Sequence, residues 1–122
     1  MKPFVITSLL SCRQLNQHWQ RQFPFLKLLV YSLSDRPVAG NEIERPLNEL
    51  NSHLGALRWL RVDPGMSVNA FEIAFHYTFG MRVEVLRKLG YTWDDTEYTK
   101  SWTLQEQNRK GAAISTNYAL HI

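Results

Sequence analysis

A chain of 122 residues with 44% hydrophobic and 20% charged side chains has the size and balance of one ordinary domain, which excludes a multidomain enzyme, a disordered chain and a low-complexity chain. Fourteen basic residues against eleven acidic ones give a net charge of +3, unevenly held: residues 1–61 carry +4 and residues 62–122 carry −1. No apolar run reaches the ~18 residues of a membrane-spanning helix, the first ten residues show no small-residue cleavage site, and the single cysteine, Cys12, cannot form an internal disulfide; a cytoplasmic protein without a membrane partner is expected.

Alternation and helical spacing predict, in chain order, a strand over 3–8, a helix over 12–23, a strand over 25–33, an extended piece near 41–44 and a helix over 46–54. A second series follows: strand 57–63, helix 68–79, strand 81–87, strand 91–96 and helix 102–110. Ser11 and Ser67 are natural N-caps, Ser11 with Gln14 and Thr103 with Glu106 have capping-box spacing, and Gly55 and Gly111 read as helix stops. Lys88-Leu89-Gly90 reads as a tight hairpin in which glycine supplies the positive φ. The tail, 112–122, ends in Tyr118, Leu120 and Ile122 at alternating positions and reads as an added edge strand or a loose terminus.

The two series match. Shifted by 56 positions, Ser11 to Leu33 falls on Ser67 to Leu89 without a gap, with three identities in 23. Leu15, Trp19 and Phe23 fall on Phe71, Phe75 and Phe79, each trio along one helix face. A breaker follows in both, Pro24 and Gly80, and then a switch to period two. Pro46-Leu-Asn-Glu-Leu-Asn matches Thr103-Leu-Gln-Glu-Gln-Asn at an offset of 57. The order of these signals predicts one domain, 1–122, made of two tandem repeats (about 1–56 and 57–111) and the tail. The expected class is α+β: a two-layer, ferredoxin-like sandwich in which two strand-helix-strand units share one sheet, each unit carrying an added strand and short helix. Another two-layer arrangement, or pairing of each unit with its counterpart in a second chain, remains an alternative.

The ungapped match puts Met81, Val83, Val85 and Arg87 on the inner face of the second strand and Arg82, Glu84, Leu86 and Lys88 outside. By the same phase Leu26, Leu28 and Val30 lie on the outer face of the first strand, which is then apolar on both sides; Trp59 shares that outer surface. Burying such aliphatic side chains stabilises by about 1.5–3 kcal/mol each. Either the helix 46–54 or the tail covers them, or they form an interface with a second copy or another protein. Leu26, Leu28, Val30 and Trp59 are thus interface candidates. Arg58, Arg61, Arg82 and Lys88, beside Trp59, are candidates for a weak nucleic-acid face.

Catalytic chemistry has no constellation behind it. Phosphate-binding glycine loops, G-x-S-x-G, H-E-x-x-H and C-x-x-C are absent, as is the aromatic RNP1 pattern of RNA-recognition sheets. Asp94 and Asp95 could meet a cation, yet they lack calcium-loop spacing and read as turn and cap residues. His18 and His76 have no second ligand at metal spacing. His76 and Tyr77 flank the core position Phe75 and face solvent or a groove, and Cys12, whose counterpart is Val68, reads as a packed small side chain. No cofactor, metal or catalytic residue is expected.

Phe79-Gly, Val83, Val85, Arg87, Gly90, Trp93, Thr96 and Trp102-Thr-Leu with Gln107-Asn compose FG-x-x-V-x-V-x-R, W-x-x-T and WTL-x-x-QN. This last third of the chain resembles a group of small uncharacterised bacterial proteins, a resemblance that implies no particular activity or site. The expected function is a non-catalytic interaction or assembly module that self-associates through an apolar sheet face, with a weak nucleic-acid binder second and an enzyme third.

Overall fold

Both long helices begin where a serine satisfies the free amides of the first turn. In a computed structural model, which describes residues 2–120, α1 (Cys12–Gln22) has the complete Ser11/Gln14 capping box. α3 (Val68–Phe79) starts at Ser67, whose Oγ accepts from Ala70 N, and ends at Gly80 in the left-handed region. α4 (Leu104–Leu120) starts with a Thr103/Glu106 capping box. α2 is short (Leu47–Leu50) and runs into a 3-10 turn that ends at Gly55, φ +67°. The expected extended piece near 41–44 is a 3-10 turn as well, Gly40–Glu44.

The strands are β1 (Phe4–Thr7), β2 (Leu26–Val30), β3 (Trp59–Val62), β4 (Val83–Leu89) and β5 (Thr92–Asp95). β1 pairs antiparallel with β3, Phe4 opposite Val62 and Thr7 opposite Trp59. β2 pairs antiparallel with β4, Leu26 opposite Arg87 and Val30 opposite Val83, and β5 adds to β4 through the Gly90 hairpin. The protein is therefore α+β, but the described strands form two sheets, β1-β3 and β2-β4-β5, where one shared sheet was expected. Each strand of the first series bonds to its counterpart in the second, β1 to β3 and β2 to β4.

The local joints recur as well. Ser11 bridges Pro46 and Ser67 bridges Thr103. Leu47 N donates to Leu10 O and Leu104 N to Met66 O. Asn51 Nδ2 donates to Phe79 O at the end of α3, while Asn108 Oδ1, 57 positions later, accepts from Phe25 N at the end of α1. Each asparagine thus closes the helix-to-strand joint of the opposite series.

The two predicted helix faces meet in the core. Leu15, Trp19, Phe23, Phe71, Phe75 and Phe79 are all buried. The Trp19 and Phe71 rings lie 4.7 Å apart between centroids and link the helices, a contact worth about 0.5–1.5 kcal/mol beyond its buried area.

Two sequence expectations fail for identifiable reasons. Leu26, Leu28 and Val30 are core residues, 0%, 2% and 3% exposed, packed against α1 and opposite Arg87, Val85 and Val83. From the buried phenylalanine at the helix end to the first strand residue the chain takes three steps in one series (Phe23 to Leu26) and four in the other (Phe79 to Val83). Side chains alternate with period two, so this one-residue difference inverts the faces of β2 relative to the ungapped match. The true outer face of this sheet is half-buried by long cations: Lys27 reaches over the Trp93 ring and the Arg82 guanidinium stacks 3.6 Å from the Tyr31 ring centroid.

Gly111 does not stop its helix. α4 continues to Leu120, so the tail is helical up to that residue where a strand or loose end was expected; His121 and Ile122 lie outside the described residues. At Gly111 a Cβ would come within 2.9 Å of Phe25 Cβ and 3.1 Å of Phe25 O. The glycine lets α4 lie against the α1-β2 turn.

Candidate interaction surface

The β1-β3 sheet has one buried face, with Ile6 and Val62, and one open face bearing Val5, Thr7, Trp59 and Arg61. Trp59 is 64% exposed. Arg58 Nη1 donates to Thr78 O, tying the start of β3 to the last turn of α3. On that turn Tyr77 is 87% exposed, and one turn earlier Ile73 is 60% exposed.

Spacing explains why α3 presents these residues. Val68, Phe71, Phe75 and Phe79 occupy the core face. Ala70, Ile73, Ala74 and Tyr77, at i, i+3, i+4 and i+7, form a second stripe without a charge, and they line a shallow groove. The corresponding stripe on α1 is Gln14, Gln17, His18 and Arg21, beside β1, with His18 Nε2 3.2 Å from Val5 O. One series is polar where the other is apolar.

The nucleic-acid candidates divide. Arg58 and Arg61 flank Trp59 on β3 and its approach. Arg82 and Lys88 belong to the other sheet, on β4 and just before it. Arg82 donates to Asp35 (2.9 Å) and Glu84 (2.6 Å), and its pKa is raised, first by its hydrogen bond to Asp35. Lys88 pairs across from Trp93.

A deeper groove of about 390 Å³ separates α1 from the open edge of β2. The side chain of Asn16 closes this edge like a neighbouring strand: Nδ2 donates to Leu28 O and Oδ1 accepts from Leu28 N, both 2.8 Å. In the second series Glu72 accepts from Val85 N and Thr96 Oγ1 donates to Val85 O, while Lys100 bridges Glu72 and Glu97. The Glu72 hydrogen bond is the main reason that the Lys100 pKa is raised. Cys12 lines the 390 Å³ groove, but burial, with help from Glu42, pushes its thiol pKa up to about 11, so it is neutral at physiological pH and a poor nucleophile. Arg13, which also lines the groove, is engaged by Glu44.

Asp94 and Asp95 act as turn residues: Asp94 Oδ1 accepts from Asp95 N and Asp95 Oδ1 from Glu97 N. Among the described residues no three His, Cys, Asp or Glu side chains converge as a metal site, and no helix is long and apolar enough to cross a membrane. Ala70, Ile73 and Ala74 were missed in the sequence because α3 is apolar nearly all round, so its second stripe reads as core; their spacing to Tyr77 was the available signal. No protein family, no curated protein and no solved structure matches this chain.

Proposed function

We propose that the chain is a non-catalytic self-association module, a tandem duplication of one strand-helix-strand unit whose second copy has acquired a docking surface on α3 and Trp59. The duplication rests on the paired counterpart strands and the reciprocal Asn51 and Asn108 joints. The docking surface rests on one observation: Ile73 and Tyr77 expose most of their surface along an uncharged stripe of α3, and Trp59 does so on the open face of the β1-β3 sheet, while twenty hydrophobic side chains among the described residues are buried. Exposed apolar groups of this size gain free energy when a partner removes them from water. The sheet face around Leu26, Leu28 and Val30 has no part in it, because α1 already covers that face.

Light scattering after size exclusion, from low to high micromolar concentration, tests the reading. A concentration-dependent dimer is expected, with Tyr77→Asp monomeric and unchanged in far-UV circular dichroism. A wild-type monomer throughout would overturn it.

A second reading, single-stranded nucleic acid on the open β1-β3 face, is favoured by Trp59 between Arg58 and Arg61. It predicts binding that falls steeply with salt and is lost in Arg61→Glu; absence of binding at low ionic strength refutes it.

A further inference from the structure

We infer that either half of this chain accepts the matching half of a second copy, so that the partner is the chain itself, in a closed dimer with exchanged halves hinged at Gly55, Ala56 and Leu57. This goes beyond the α3 surface and uses no exposed side chain. The ladders β1-β3 and β2-β4 both run between the halves, and among the described residues none joins β1 to β2 or β3 to β4. The contact between Trp19 and Phe71 also crosses, as do the joints of Asn51 to Phe79 and of Asn108 to Phe25. Val5 stands opposite Arg61, its counterpart 56 positions on, and Leu28 opposite Val85, its counterpart at 57 once the longer second turn is counted. Each half thus meets the other as one subunit meets its mate across a twofold axis. An exchanged dimer makes every one of these contacts twice, so it differs from two closed chains only at the hinges and in the entropy of association.

The hinge closes the chain with a turn that glycine alone takes easily. Gly55 has φ +67° and ψ −103°, and a Cβ there would meet nothing within 4 Å. Residues 55–57 are all exposed. A β-branched side chain at 55 therefore disturbs only the backbone of the turn, and an exchanged dimer escapes that strain because its hinges need not turn back. Across so short a connection the effective concentration of one half for the other is on the order of millimolar. The closed chain accordingly predominates at micromolar concentration, and exchange is expected at higher ones. Both ladders must separate for the halves to part, so exchange passes through the unfolded chain and is read after refolding.

The register of β1 on β3 supplies a cross-link that reads the exchange. Ser8 N donates to Arg58 O, so by alternation Ile6 and Leu60, and Phe4 and Val62, are hydrogen-bonded pairs. Val5 and Arg61, both exposed, then form a close non-hydrogen-bonded pair, whose Cα separation of about 4.5 Å suits a disulfide. In a Cys12→Ala background, V5C and R61C are mixed, unfolded in urea and refolded at millimolar concentration in a glutathione redox buffer. A covalent dimer is expected from the mixture, well above the yield from either variant alone, while V5C/R61C in one chain closes its own disulfide at low concentration. Gly55→Val in both partners should raise the dimer yield about tenfold or more, with circular dichroism checking that each variant is folded. If the double variant closes its disulfide but the mixture, with or without Gly55→Val, cross-links no more than the single variants, exchange is overturned. A double variant that forms no bond overturns the register and the inference with it. Tyr77→Asp should leave the cross-linked dimer unchanged, so failure of the α3 surface and failure of exchange are read separately.

Discussion

Gly111→Ala sets helix propensity directly against packing. Inside a helix alanine is favoured over glycine by about 0.8–1 kcal/mol, so position 111, seven residues into α4, would ordinarily gain from the change. The added Cβ, however, meets Phe25 Cβ at 2.9 Å, Phe25 O at 3.1 Å and Arg87 Cγ at 3.2 Å. Two of these neighbours belong to the backbone or its first side-chain atom and cannot swing aside, so α4 must move from the turn and strain the Asn108 contact to Phe25 N. Overpacking of this kind costs about 1–3 kcal/mol. The net expectation is a loss of about 1 kcal/mol, or roughly 3–6 °C in midpoint for a chain of this length. Urea unfolding followed by circular dichroism measures it, with Ala112→Gly as the reference for pure propensity in the same helix turn. If Gly111→Ala instead stabilises by about 1 kcal/mol, the close approach carries no weight and the residue is only a tolerated glycine.

Leu28→Asp is expected to unfold the chain, costing about 4 kcal/mol or more because the carboxylate enters the core, whereas Leu29→Lys, on the half-buried outer face opposite Glu84, costs about 1 kcal/mol or less; chemical denaturation separates the two. Asn16→Ala removes both bonds to Leu28 and leaves a strand edge open, with an expected loss of about 2 kcal/mol by the same assay. Cys12 makes stability fall at high pH. Above its ordinary value of 9.0 the unfolded thiol ionises, while the folded one keeps its proton until about 11, so the unfolded state is increasingly favoured across that interval. The loss approaches roughly 2–3 kcal/mol at its upper end, and Cys12→Ala should flatten that part of the pH profile; equal slopes in both proteins would contradict the assignment.

Capping and amphipathic spacing are local, and they were legible. Ser11 with Gln14, Ser67, and Thr103 with Glu106 cap their helices as expected, α3 runs over the predicted residues, and both helix-face trios reach the core. Strand phase was legible only where the connection length was right: Val83 and Val85 point inward as expected, whereas Leu26 and Leu28 were turned outward by one residue's difference in the preceding turn. For the candidate surface, Tyr77 was legible as facing solvent or a groove, whereas Trp59, expected on one outer surface with Leu26, Leu28 and Val30, stands on the open face of the other sheet; Ala70, Ile73 and Ala74 were not legible, because a stripe is exposed or buried by what packs beside it.

The amino-acid order by itself determined the α+β class, the helix starts and the buried helix faces, all of which depend on contacts within a few residues. Only the tertiary structure decided that counterpart strands pair in two sheets, that Gly111 admits α4 against Phe25, that α1 covers Leu26, Leu28 and Val30, and that one stripe of α3 is left open to water. Pairing and burial are set by residues dozens of positions apart. A period-two pattern states that a strand has two faces and leaves to the packing which of them is inside.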